Sequence, residues 1–299
     1  MKSGFVSVIG RPNVGKSTLI NSIIGKKIAI TSDKPQTTRN IIQGIYTTKD
    51  TQIVFVDTPG IHKPNHKLGQ YLNRQAYDSI GDVDVILLLV DASEKLGPGD
   101  KFIIERLKEV KNPVPVILVL NKIDRLTHEE ILHKIVEYKD LYPFQEIVPI
   151  SGLKKKNTDE LLKTIGNYLT DEVMYYGENE ITNRSLEFMM SEIIREKVFQ
   201  LTHQEVPHSV TCVIDFVEVG KTSMTIHASI IVDRDSLKRI IIGAKGNMIK
   251  QIGIKARIDL ENLVEKKVYL DLQVRTIKNG VIKKNICQNL ASVILNKKT

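Results

Sequence analysis

"FVSVIGRPNVGKSTLINSIIG", residues 5–25, passes from an apolar, strand-like run through a glycine-bounded loop into a stretch with helical spacing. The loop Gly10–Ser17, "GRPNVGKS", matches G-x-x-x-x-G-K-[ST]. Its setting matters, because backbone N–H groups must wrap an anion where a helix begins and the helix dipole favours negative charge. In that reading Gly10 and Gly15 permit the wrap, and the backbone of Asn13, Val14 and Thr18 borders the phosphates. Lys16 reaches the β and γ oxygens, and Ser17 ligates magnesium. A chance glycine turn matches this pattern in about one chain in a hundred of this length. The G-x-G-x-x-G of a dinucleotide site is absent here.

Outward from the loop, "QIVFVD", "DVDVILLLVD", "VPVILVLNK" and "FQEIVPIS" read as further strands. Helical patterns lie near 69–80, 100–110 and 128–139, and "NTDELLKTIGNYL" is another helix with Asn157 or Thr158 placed to cap it. Uniformly apolar strands alternating with helices predict an α/β domain with a mostly parallel sheet covered on both faces. Two more short signals sit at strand ends, where such sheets bind ligands. Asp57-Thr58-Pro59-Gly60 is placed to hold the magnesium and sense a terminal phosphate. Asn121-Lys122-Ile123-Asp124 supplies a carboxylate that accepts both N–H donors of guanine's Watson–Crick edge, which adenine does not offer. Alone, this tetrapeptide could be a helix cap; after the other two motifs it predicts guanine specificity. Between them "SDKPQTTRN" offers Thr37 or Thr38 as a magnesium hydroxyl in the triphosphate state. Ser151-Gly152-Leu153 occupies the place of a base-contacting loop, with Gly152 expected to present its N–H.

The 299 residues suffice for two domains. Two cysteines without C-x-x-C spacing fit a reducing cytoplasm and argue against a disulfide framework or a zinc site. The apolar runs are strand-sized, far below a membrane span. Periodicity lapses around 171–183, which is expected to be a linker between a domain at 1–170 and a second at 184–299. The second reads helix, two strands turned near Gly220-Lys221, a short helix, "GAKG", a longer helix, a strand and a last helix near 285–297. It carries +7 of the net charge of +8, and Arg234–Arg257 alone holds seven basic residues against one acid. A solvated helix face and a phosphate-binding surface explain that run equally well.

With 18 glycines, about one G-x-x-G arises by chance at this composition. Gly243-Ala244-Lys245-Gly246 gains weight from lying between two helices inside the basic run. Such a turn clamps about four nucleotides of single-stranded nucleic acid in a KH module. Lys245 and Lys250 meet phosphates in this reading; Ile249 and Ile252 either line a base groove or pack in the core.

Taken together, "GRPNVGKSTLIN", "KPQTTRN", "DTPG", "NKID", "EVPHS" and "GAKGNMIKQIGIKAR" resemble the Era family of bacterial ribosome-assembly GTPases over the whole length. The resemblance implies a TrmE-type Ras-like GTPase domain joined to a type II KH domain. It implies GTP or GDP with magnesium as ligands, Thr38 as the magnesium threonine, and binding of the 3′ end of small-subunit rRNA in maturation of the small ribosomal subunit. A monomeric cytoplasmic protein with peripheral membrane association is also implied. Relatives more often carry alanine where Gly152 stands.

One position raises a chemical question. Many GTPases place after D-x-x-G a glutamine that orients the attacking water; here it is Ile61, which cannot donate or accept a proton. Arg39 and His62 read as solvated loop residues. Asn13 is the stronger substitute: in related GTPases an asparagine here helps hold a potassium ion, whose charge stands in for an arginine finger. The other reading of Asn13 is a loop brace. A slow GTPase switch assisted by potassium is expected, with Lys16, Thr38, Gly60 and Asn13 as its catalytic set. A metabolic P-loop kinase and an RNA-binding adaptor that merely holds GTP are the competing classes.

Overall fold

The computed structural model describes residues 1–31, 41–61, 83–110, 113–202 and 209–277. Two compact units divide between Arg184 and Ser185. The first is built on a six-stranded sheet: β1 (Lys2–Ile9), β2 (Ile42–Thr47), β3 (Thr51–Asp57), β4 (Val85–Asp91), β5 (Val116–Asn121) and β6 (Glu146–Pro149), in the order β2-β3-β1-β4-β5-β6. Every residue of β4 and β5 is buried, which is why each reads as an unbroken apolar run. All pairings are parallel except β2 with β3.

Sequence pattern misses β2, because Gly44 interrupts it. That glycine has a packing reason: a Cβ there would come within 2.7 Å of Ile20 and 2.8 Å of Ile28. Its absence lets α1 (Lys16–Ile24) lie close on the sheet. The other helices among the described residues are α2 (Pro98–Lys108), α3 (His128–Lys139) and α4 (Thr158–Tyr168). Thr127 and Glu130 close a capping box on α3. Asn157 stands at the start of α4 in a left-handed conformation and donates instead to the Pro149 carbonyl, so its side chain caps nothing there.

The stretch 171–183, expected as linker, is hydrogen-bonded along the first unit. Ser3 N–H donates to Asp171 O, and Ile45 N–H donates to Ile181 O at 2.9 Å. Buried Gln52 accepts from the N–H groups of Tyr175 and Tyr176 and donates to Tyr176 O. The strap thereby satisfies the outer edge of β2, which would otherwise present unpaired backbone groups.

The second unit runs α5 (Leu186–Leu201), β7 (Val210–Val219), β8 (Ser223–Val232), α6 (Asp235–Ile242), α7 (Asn247–Val264) and β9 (Lys267–Thr276). The hairpin β7-β8 is antiparallel, and β9 pairs parallel with β8. Alternate residues of β8 (Met224, Ile226, Ala228, Ile230, Val232) meet Ile194 and Val198 of α5 and Ile252, Ala256 and Leu260 of α7 in one core. The α-β-β-α-α-β order matches the sequence reading; the helices expected at 69–80 and 285–297 lie outside the described residues.

Candidate nucleotide site and nucleic-acid groove

The loop after β1 emerges where the strand order reverses, with β3 on one side of β1 and β4 on the other. Its glycines are sterically required. Gly10 has φ 152° and a Cβ there would stand 2.3 Å from Leu89 O; Gly15 has φ 102° and a Cβ would stand 2.4 Å from Asn121 Nδ2. Val14 is buried, Thr18 half-buried, and Asn13 exposed at φ 66°. Three side chains converge on the loop's carbonyls. Lys16 Nζ donates to Gly10 O (3.0 Å) and Arg11 O (2.9 Å), Lys122 Nζ to Asn13 O (2.8 Å), and Asn121 Nδ2 to Val14 O (2.8 Å). Burial pulls the Lys16 ammonium down to about 8, against the opposing attraction of Asp57.

Ser17 Oγ donates to Asp57 Oδ2 at 2.8 Å, so the two magnesium candidates contributed by α1 and β3 meet 40 residues apart in sequence. Thr58, which the motif reading left without a role, anchors this corner through Oγ1 to Val8 O. Gly60 packs on the loop itself, since a Cβ there would lie 2.8 Å from Pro12 N. Ile61 donates its N–H to Gly10 O at 3.1 Å, and its side chain is fully buried with Ile86, Leu88 and Ile104. The residue in the glutamine's place therefore faces the core.

At the other end, Asn121 Oδ1 accepts from Gly152 N–H at 2.9 Å. The buried carboxamide oxygen of Asn121 holds the N–H that the sequence reading offered to the base, and joins the two guanine loops to the phosphate loop. Ser151 Oγ donates to Asp124 Oδ1 and orients that carboxylate; Leu153 is exposed. Asp91, another residue the motifs did not mark, pairs with Lys122 at 2.5 Å. Its burial opposes ionisation, yet hydrogen bonds from Lys122 and Ser93 hold the carboxyl below its usual range. Its position at the end of the run "VILLLVD" was the available signal.

These residues fit a magnesium nucleotide: a glycine cradle that any Cβ would fill, a buried ammonium, and a hydroxyl–carboxylate pair beside it. Thr37, Thr38, Arg39 and His62 lie outside the described residues. In the second unit Gly243 (φ 72°) and Gly246 (φ 76°) flank exposed Ala244 and Lys245 between α6 and α7. A groove of about 520 Å³ runs beside α7 and β9, lined by Ile249, Lys250, Ile254, Arg257, Tyr269 and Leu272 among others. Ile252 is fully buried in the core, whereas half-buried Ile249 both packs against that core and lines the groove.

A phosphate loop, a D-x-x-G corner and an N-K-x-D loop on a parallel sheet, followed by a helix-flanked G-x-x-G unit, define a P-loop GTPase with an appended KH domain. The family model for "50S ribosome-binding GTPase" matches residues 5–122, and that for "KH domain" matches 205–281. Among solved structures the chain is similar to Era in complex with MgGDPNP and nucleotides 1506–1542 of 16S ribosomal RNA. It is equally similar to a variant of Aquifex aeolicus Era bound to GDP·AlF4−. Each shares 42% identity with a TM-score of 0.87, over 93% of this chain and 95% of the other. The chain belongs to the Era family of GTPases.

Proposed function

We propose that the chain binds GTP and magnesium through the loops at 10–18, 57–60, 121–124 and 151–153 and hydrolyses GTP slowly to GDP and phosphate. Its KH unit binds the 3′ end of small-subunit rRNA through Gly243–Gly246, Ile249 and Lys250 and assists maturation of the small ribosomal subunit. The observation that carries this reading is the Ser17–Asp57 contact of 2.8 Å beside the buried Lys16 ammonium. It is supported by the MgGDPNP and rRNA complex of an Era protein 42% identical.

Lys16 would leave the carbonyls of Gly10 and Arg11 for the β and γ oxygens. Ser17, Asp57 and Thr38 would hold magnesium, which supplies neutralising charge at those oxygens. Asp124, oriented by Ser151, would accept from guanine. The Gly60 N–H would meet the γ-phosphate, and exposed Asn13 would help hold potassium beside it. The joint between the units would carry the nucleotide state to the RNA unit. The resemblance supports a cytoplasmic monomer with peripheral membrane attachment; among the described residues no helix is long and apolar enough to cross a membrane.

Single-turnover hydrolysis in potassium chloride and in sodium chloride, at matched ionic strength with magnesium, tests the catalytic part. A potassium advantage that disappears in Asn13→Ala is expected. Equal slow rates in both salts would make Asn13 a loop brace and leave the missing group to the ribosomal particle.

A further inference from the structure

Arg11 leaves the phosphate loop on its outer side. Its Nε donates to Asp100 Oδ1 at 2.8 Å and its Nη2 to Glu94 Oε2 at 2.8 Å. Asp100 is almost fully buried, with 1% of its side chain exposed, and its other oxygen accepts from Gly97 N–H in the first turn of α2. A carboxylate at that place is favoured by the helix dipole and has little freedom. The stem of Arg11 lies flat on the same turn: a Cβ on Gly99 would fall 2.6 Å from Arg11 Cδ. Glu94 is half exposed, so Asp100 is the partner that fixes the guanidinium.

The consequence lies one residue on. Pro12 is the surface on which Gly60 rests, with its N 2.8 Å and its Cα 2.9 Å from where a Gly60 Cβ would stand. The next N–H, that of Ile61, is bonded to Gly10 O. The backbone of residues 10–12 is thus the seat of the terminal-phosphate corner, and Arg11 ties that seat to α2. We propose that Arg11, held by Asp100, is a positioning residue that sets where Gly60 stands relative to the terminal phosphate. With Ile61 turned into the core, the residue in the glutamine's place does not compensate for a displaced Gly60.

This rests on the triphosphate-site reading above. Four versions of the full chain decide it: the parent, Arg11→Ala, Arg11→Lys and the near-isosteric Asp100→Asn. Affinities for GDP and for a non-hydrolysable GTP analogue are measured along with single-turnover hydrolysis. GDP does not use Gly60, so its affinity should stay within about twofold in every variant. The ratio of GTP-analogue to GDP affinity, and the hydrolysis rate, should fall about tenfold in Arg11→Ala and Asp100→Asn, with partial recovery in Arg11→Lys. A parallel loss of both nucleotides in Asp100→Asn would make the pair a plain brace of the loop and overturn the proposal. Parent-like values in all variants would overturn it too. A parent that bound neither nucleotide would instead sink the reading of the site itself.

Discussion

Lys16 is a buried cation whose partners are loop carbonyls and a nearby carboxylate. Burial sets its pKa near 8, below the ordinary lysine value of 10.5. Phosphates touching the ammonium would raise it again, so nucleotide binding above pH 8 takes up a proton. Affinity for GDP should therefore be flat up to about pH 8 and then fall towards tenfold per pH unit. The ligand-free protein should show the opposite sign. Its folded-state pKa lies below the unfolded one, so the unfolded chain binds more protons between these values and stability gains from Lys16 as pH rises from 8 to 10.5. Calorimetric titration and thermal unfolding across pH 7–10 check both. A pH-independent affinity would mean that Lys16 does not touch the phosphates.

The α6–turn–α7 element shows how two glycines of one motif differ. A Cβ on Gly243 would collide with Met248 Cβ at 2.6 Å, whereas nothing lies within 4 Å of one on Gly246. Gly243 is thus held by packing as well as by its backbone, and Gly246 by its left-handed φ alone. Between and after them Lys245 and Lys250 are exposed, and Lys250 lines the groove. Reversing both charges (Lys245→Glu, Lys250→Glu) should weaken single-stranded RNA binding. It should also flatten the dependence of log K on log salt by about 0.7 for each phosphate that is no longer neutralised. Binding assays across a salt series read this directly, and parent-like slopes would remove the turn from the RNA surface. The type and order of these elements were legible because helix and strand periods alternate cleanly. The places of Ile249 and Ile252 were not, since the period alone does not say that one is sealed in the core while the other packs on the core and also lines the groove.

Across the first unit, residues 171–184 are tied to the sheet by backbone bonds at Asp171 and Ile181 and, between them, by one buried side chain. Gln52, fully buried, makes three hydrogen bonds to the backbone of Tyr175 and Tyr176, and Tyr175 packs edge-on against Phe5 with ring centroids 4.8 Å apart. Gln52→Ala would leave those groups without their partner and should cost about 1–3 kcal/mol. Hydrogen exchange should rise at the amides of 175–176 and 181–183 while the core of the second unit keeps its protection. Unchanged exchange at those amides would show that the strap is held by other interactions.

Contiguous chemistry was readable without coordinates. The phosphate loop, D-x-x-G, N-K-x-D and G-x-x-G each place their working atoms within a few residues, at the end of a strand or helix that its own apolar period announces. Fold class and reaction class follow from those short stretches. The bonds that hold the site in shape are of another kind. Asn121 with Gly152, Lys122 with Asp91 and Arg11 with Asp100 join residues 31 to 89 positions apart. The Gln52 strap likewise satisfies backbone groups from a distant segment, 124 positions away at Tyr176. Single polar side chains bonding across a fold leave no periodicity in the chain, so their partners exist only once the sheet has brought the loops together.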